Sequence, residues 1–221
     1  MASYDDVVAA RQAAADAANT RAVAAAAALT ASRKQAALSL EKKVSATLRE
    51  LGFATARLPV VLFEARDLGP AGADRVRFLF APNPGEEPRP LARIASGGEL
   101  SRVMLAVKQA LARTDQVLTY VFDEVDAGVG GGAAEVIGRK LKRIAADRQV
   151  IVITHLAQVA AFADAHVRVS KSVARGKTRV LIEPLSEADR PGEIARMLAG
   201  AAPSPQAAAH ADEMLRAARD A

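Results

Sequence analysis

The sequence predicts an α/β fold with a parallel sheet, preceded by one long helix, and three observations carry that reading. From Asp5 to Leu51 there is neither Gly nor Pro and Ala is abundant, so nothing interrupts a single helix. Two apolar strand-like runs, Gln116 to Phe122 and Gln149 to Thr154, flank a helical stretch from Ala133 to Ala146. That β–α–β spacing implies parallel strands joined by a right-handed crossover. The chain of 221 residues, 51% of them hydrophobic, is also large enough to bury one substantial core.

At 1.5 Å per residue the N-terminal helix would extend for roughly 70 Å, more than a globular lobe needs. Leu40, Val44, Leu48 and Leu51 recur at helical spacing in its second half, and Gly52 ends it. The first half offers Val7, Val8, Val23 and Leu29 among alanines, a thin seam. Such a helix is expected to pair with another in an antiparallel coiled coil; a surface helix folded back on the lobe is the alternative. A boundary therefore falls after Leu51, with a coiled-coil arm over 1–51 and a lobe over 52–221.

Leu58 to Ala65 and Arg75 to Phe80 read as strands on either side of a Gly/Pro turn at Gly69 to Gly72. Ala81 to Pro90 reads as a loop, and a helix follows from about Gly98 to Arg113 with Leu100, Met104, Val107 and Leu111 on one face. After the β–α–β unit, a short helix spans Leu156 to Phe162. A hairpin of Ala165 to Ser170 with Thr178 to Ile182 comes next, then helices over Gly192 to Leu198 and Gln206 to Arg219.

The absence of Cys excludes disulfides and Cys-ligated zinc and fits a reducing compartment. No run approaches the ~18 apolar residues of a membrane span. Ala22 to Leu29, flanked by Arg21 and Arg33, lacks the features of a signal peptide. A formal charge of +5 permits a polyanionic partner without requiring one.

The candidate chemistry lies at the ends of the central elements. Ser96-Gly97-Gly98-Glu99 opens a helix, where free N–H groups and the helix dipole favour a phosphate and glycines let the backbone approach it. A Ser N-cap with loop glycines is the bland alternative. Asp123 and Glu124 end a strand too apolar to be an edge. Ligands in open parallel sheets sit beyond such carboxyl ends. An Asp there can hold Mg²⁺ through its water shell, and the next Glu can orient and deprotonate an attacking water. Asp126 leads into the glycine-rich stretch Gly128 to Gly132, and His155 ends the neighbouring strand. Beside the acid pair, His155 is a candidate donor to a terminal phosphate or a positioner of water. His166 and His210 read as structural.

Yet the phosphate-cradling pattern G-x-x-x-x-G-K-[ST] occurs nowhere in the sequence. Gly176-Lys177-Thr178 has its tail only, since Lys171 stands where the first Gly belongs, and it falls in a hairpin turn. The basic residues there, Arg168, Lys171, Arg175, Lys177 and Arg179, are a possible DNA contact, with a solvated hairpin face as the preferred reading.

Together, Ile94-Ala95-Ser96-Gly97-Gly98-Glu99, Val121-Phe122-Asp123-Glu124 and His155 resemble the signature motif, Walker B and switch histidine of ABC-type ATPases. The long helix narrows the resemblance to the SMC/Rad50-like branch. The runs Ser96 to Arg102, Val121 to Gly128, Ile153 to Ala161 and Glu193 to Gly200 are similar to the bacterial RecN family of DNA repair proteins. The resemblance runs from about Leu58 to the C-terminus. It implies the C-terminal lobe of an ABC/SMC-type head, with a P-loop NTPase-like sheet, acting in recombinational repair of DNA double-strand breaks. It further implies ATP and Mg²⁺ as cofactors, with Asp123 serving the metal, Glu124 as general base and His155 on the γ-phosphate. Asp126 would lie in an inter-head loop, and Ser96, Gly97, Gly98 and Glu99 would meet ATP held by a second head. The implied partners are an N-terminal lobe with its coiled-coil arm, a second head and DNA, in the bacterial cytoplasm at the nucleoid. The N-terminal lobe with its phosphate loop and glutamine loop is absent, so Met1-Ala2-Ser3 is expected to mark the start of a fragment that does not hydrolyse ATP alone. A non-catalytic DNA-binding or coiled-coil scaffold module is the alternative, with a transporter-type cassette fragment behind it.

Overall fold

The computed structural model describes residues 3–94, 96–112, 114–174 and 177–220. They fall into two compact units, Met1–Ser45 with Thr55–Arg93 and Ala46–Ala54 with Ile94–Ala221. Helix α1 (Tyr4–Glu50) is one uninterrupted element of 47 residues. Its start is capped reciprocally: the Asp6 N–H donates to Ser3 Oγ (3.2 Å) and the Ser3 N–H donates to Asp6 Oδ2 (2.9 Å). Val44, Leu48 and Leu51 of the expected stripe are buried and Leu40 is half-buried.

In the first unit, β1 (Val60–Gly69) and β2 (Gly72–Phe80) pair antiparallel, with Val60 opposite Phe78 and a register shift beyond Glu64. Within the stretch expected as loop, β3 (Arg89–Pro90) adds a two-residue rung to β2. The middle of α1 lies on this hairpin through small and polar side chains. Ala26 and Ala37 are buried, the Thr30 hydroxyl donates to Asp74 Oδ2 (2.7 Å), and Arg33 pairs with the same oxygen at 3.4 Å. The seam is thin because Ala permits close approach. Val7, Val8 and Val23 are exposed.

The second unit holds α2 (Gly97–Ala110), β4 (Thr119–Asp123), α3 (Gly131–Ala145) and β5 (Gln149–Ile153). β4 and β5 are parallel, from Thr119 opposite Gln149 to Asp123 opposite Ile153. Then come α4 (Ala157–Ala160), the antiparallel hairpin of β6 (Val167–Ala174) and β7 (Lys177–Pro184), α5 (Arg190–Ala199) and α6 (Pro205–Arg219). Phe162, Ile194, Ala211 and Leu215 join one apolar cluster with Ala157 and Ala160. Gly138 of α3 admits the Phe162 ring: a Cβ there would collide with Phe162 Cδ2.

Two expectations need correction. The deepest face of α2 carries Val103, Leu105 and Ala106, whereas Leu100, Met104, Val107 and Leu111 are half-buried. The helix is rotated because Gly98 and Arg102 are turned inward. Arg102 fills an interior position by donating to Ala127 O (2.6 Å) and stacking over Phe53 at 5.0 Å. Second, β4 is an edge here. Among the described residues it pairs with β5 alone. Tyr120 and Phe122 are buried on one face while Val121 on the other is 63% exposed. Its apolar composition marks a strand suited to cover on both faces, not a strand already covered.

Candidate active site

The start of α2 is built by Ser96, the N-cap, whose Oγ accepts from the Glu99 N–H at 3.4 Å. The two glycines that follow have different neighbours. A Cβ on Gly98 would stand 2.7 Å from Ala127 Cβ and 2.9 Å from the Glu124 carbonyl oxygen; one on Gly97 would stand 2.9 Å from Glu124 Oε2. Their small size therefore seats the helix start directly on the turn after β4. Ser101 Oγ, one turn along, donates to Asp123 O at 2.6 Å and ties α2 to the strand end.

Asp123 ends β4, exposed, and no hydrogen bond or ion pair engages its carboxylate among the described residues. Glu124 stands at φ 54°, the one non-glycine residue with positive φ among those described. A left-handed Glu is strained, and such strain clusters where function over-determines the backbone. It carries the carboxylate beside Gly97. The turn is braced by the Ala127 N–H donating to Glu124 O (3.0 Å) and by Arg102 from beneath.

Asp126 is 1% exposed. Its Oδ2 accepts a short hydrogen bond from the Thr154 hydroxyl and a 3.2 Å bond from the His155 N–H, and it faces His155 Nδ1 at 3.4 Å. Thr154 Oγ1 in turn accepts from the Leu156 N–H at 3.0 Å. Ser96 to Glu99, Asp123, Glu124, Asp126 and His155 are thus linked at the carboxyl end of the parallel pair. Asp126 was expected in an inter-head loop; within this chain its carboxylate accepts from Thr154 and His155.

Of the basic hairpin residues whose side chains are described, Arg168 and Arg179 share one face and Lys171 lies on the other. Arg168 lies opposite Glu183 and pairs with it at 2.7 Å, with the buried Glu193 at 3.9 Å. The register puts Arg179 on the face of Arg168 and Lys171, opposite Val180, on the other. Lys177 is opposite Ala174, closing the expected hairpin, while Arg175 lies outside the described residues. The Lys171 face exposes Val167, Val169, Val180 and Ile182.

Sequence reasoning missed Ser101, Arg102 and Thr154 as braces of the site. It also missed Glu193, which Arg196 grips through two hydrogen bonds of 2.7 and 2.8 Å. Arg196 above all holds the Glu193 carboxyl below its ordinary range, while burial pushes the nearby His166 imidazole down. Thr154 had a signal in its place beside His155, and Ser101, Arg102 and Glu193 lie within the motif runs, but a run does not say which carbonyl or cation each side chain reaches.

No family model matches the chain. Among curated proteins it is 48% identical over 204 residues to the DNA repair protein RecN of Streptomyces coelicolor, covering 87% of this chain and 36% of that protein. Against RecN of Deinococcus radiodurans it is 47% identical over 189 residues, covering 85% and 33%. Against RecN of Mycobacterium tuberculosis the values are 44% over 208 residues, 85% and 35%. The chain therefore spans about a third of the length of the curated relatives it matches. Among solved structures, the Smc head domain with a coiled coil and joint derived from Pyrococcus yayanosii superposes with a TM-score of 0.50 at 23% identity. That match covers 71% of this chain and 28% of the Smc chain, a likeness of fold. The sequence matches carry the further step: this chain belongs to the RecN family of DNA repair proteins and corresponds to the C-terminal part of its members.

Proposed function

We propose that this chain is the C-terminal half of a RecN-type ATPase head that serves recombinational repair of DNA double-strand breaks. It would supply the signature motif, Walker B acids and switch histidine to a head dimer with ATP between its members. The observation that carries this reading is the joining of Ser96–Glu99, Asp123, Glu124 and His155 at one strand end, in a chain that spans only a third of RecN.

The residues fit the implied groups. Asp123 offers a carboxylate with no protein partner among the described residues, as a ligand to hydrated Mg²⁺ requires. When bound, the metal supplies charge neutralisation across the phosphates. Glu124 is exposed at the same strand end and would take a proton from the attacking water. His155 presents an exposed ring, suited to contact the γ-phosphate. Ser96 and the N–H groups at the start of α2 would receive the phosphate of ATP held by the second head. An N-terminal lobe with a phosphate loop, its coiled-coil arm, a second head and DNA are the proposed partners, in the bacterial cytoplasm. No described helix is long and apolar enough to cross a membrane.

The test is reconstitution. The chain alone should hydrolyse ATP negligibly, and turnover should appear once a lobe with a phosphate loop is supplied. In that assembly Glu124→Gln should bind ATP yet lose turnover by ~10²–10⁴-fold. Ser96→Arg should abolish ATP-dependent head pairing without releasing ATP from the other lobe. Robust hydrolysis by the isolated chain, or normal turnover with Glu124→Gln, would refute the proposal.

A further inference from the structure

We propose that Asp126 is a positioning residue for His155, a latch from the turn after β4 to the end of β5; this rests on the reading of His155 as a phosphate-facing residue. The argument begins with burial. A carboxylate 1% exposed is costly unless its oxygens are satisfied. The hydrogen bonds this one accepts, both at Oδ2, come from Thr154 and His155, at the tip of the neighbouring strand. Asp123 opposite Ile153 is the last paired rung. Beyond it the two strand ends would diverge into separate turns without a side-chain link.

The turn that carries Asp126 is itself held. Arg102 donates to Ala127 O at 2.6 Å and approaches Val125 O at 3.5 Å, the carbonyls on either side of Asp126. Ser101 holds Asp123 O, and Gly98 seats the helix against Ala127. The start of α2 therefore fixes the turn, the turn fixes Asp126, and Asp126 fixes Thr154 and His155.

The same carboxylate also lies beside the ring. The His155 side chain is 71% exposed, so packing does not hold it. Its backbone N–H is pinned by Asp126, and Nδ1 faces the carboxylate at 3.4 Å. A proton on Nδ1 is thereby favoured, and Nε2 is the nitrogen left to face a ligand. A residue that acts this way changes what His155 presents without touching nucleotide. It also gives the start of α2 a path to His155 that runs through hydrogen bonds within one chain.

Two measurements test this separately. In the chain itself, nitrogen NMR shifts of His155 should report Nδ1–H as the dominant neutral tautomer. Asp126→Ala should lose that preference and speed hydrogen exchange at the His155 amide. Thr154→Val, which removes one donor at nearly constant volume, should speed exchange while keeping the tautomer, and it serves if Asp126→Ala fails to fold. An unchanged tautomer in Asp126→Ala, or unchanged exchange in both variants, overturns the latch whatever the ATPase does. In the head completed with a phosphate-loop lobe, Asp126→Ala should lower kcat about 10–10²-fold with little change in KM for ATP. Asp126→Asn, which keeps one acceptor oxygen, should recover part of the loss. In a His155→Ala background, Asp126→Ala should add nothing; a full additive loss would assign Asp126 a role independent of His155. Normal turnover in His155→Ala alone would instead strike the reading of His155, and the NMR result would still decide the latch.

Discussion

The adjacent glycines at the start of α2 should behave differently when each is given a methyl group. At Gly98 the new Cβ would meet Ala127 Cβ at 2.7 Å and the Glu124 carbonyl at 2.9 Å, and neither can swing aside. One neighbour is a Cβ fixed to its backbone and the other is backbone in a strained turn. Overpacking of this kind costs about 1–3 kcal/mol. Replacing Gly by Ala within a helix returns up to ~1 kcal/mol, and less in the first turn. Gly98→Ala should therefore destabilise by roughly 1–2 kcal/mol, a fall in Tm of about 2–8 °C for a chain of this size. At Gly97 the sole close atom is Glu124 Oε2, the far end of a flexible side chain. Gly97→Ala should melt within about 2 °C of the wild type, since a turned carboxylate costs little. It would displace the proposed general base, so its defect should be in turnover by the completed head. Circular dichroism melts of both variants decide the matter. Equal loss of Tm in the two, or none in Gly98→Ala, would refute the claim that Gly98 is there for packing against the turn.

Gly138→Ala should also destabilise, although alanine is the better helix former. Its Cβ would collide with Phe162 Cδ2 in a buried cluster, and the ~1–3 kcal/mol of overpacking exceeds the ~1 kcal/mol of propensity. A melt showing Gly138→Ala at or above the wild-type Tm would contradict this contact, and Phe162→Leu in the same chain should relieve it. Acid should weaken the fold before ordinary carboxylates titrate. Burial holds the His166 imidazole below its usual value, so the unfolded chain takes the proton first. Stability is then fully present above about pH 6.5 and falls as pH drops toward the lowered native value. His166→Gln should flatten Tm between pH 7.5 and 5.5; an unchanged slope would show that another group titrates there. Glu193, depressed mainly by Arg196, adds its loss only at lower pH, through and below the usual carboxylate range near ~4.3.

Much of this fold was legible because its signals are local. A run free of Gly and Pro gave α1, and alternation around the Gly69 to Gly72 turn gave the β1–β2 hairpin. The β4–α3–β5 crossover followed from apolar runs at the right spacing. What escaped depends on three-dimensional approach. β3 is two residues long and exists by pairing with β2, so no propensity marks it. The rotation of α2 escaped because Arg102, polar by rule, takes a core position by reaching two carbonyls. The motifs placed Ser96, Asp123, Glu124 and His155, but motif order cannot say that Asp126 spends its carboxylate on Thr154 and His155. Nor can a count of cations say that Arg168 is neutralised by Glu183 while Lys171 faces the other way.

The apolar character of β4 predicts an interior strand, and its exposure here gives that character a different meaning. Tyr120 and Phe122 fill one face, yet Val121, Ile151 and Ile153 lie in the open on the other. A half-buried strand alternates apolar with polar residues; these strands are apolar on both faces, the pattern of a parallel sheet covered on each side. Parallel pairs of two strands also fall short of the four to six usual in a sheet. Covering a Val or Ile side chain fully contributes about 1.5–3 kcal/mol, so these three residues alone hold several kcal/mol of unused association energy. The candidate site sits at the carboxyl end of this same pair. A lobe bearing a phosphate loop that packed on this face would cover Val121, Ile151 and Ile153 while bringing that loop toward the strand ends where Asp123, Glu124 and His155 stand. On this view burial of the open face and completion of the site are one event, which is why the proposed reconstitution should restore turnover and structure together.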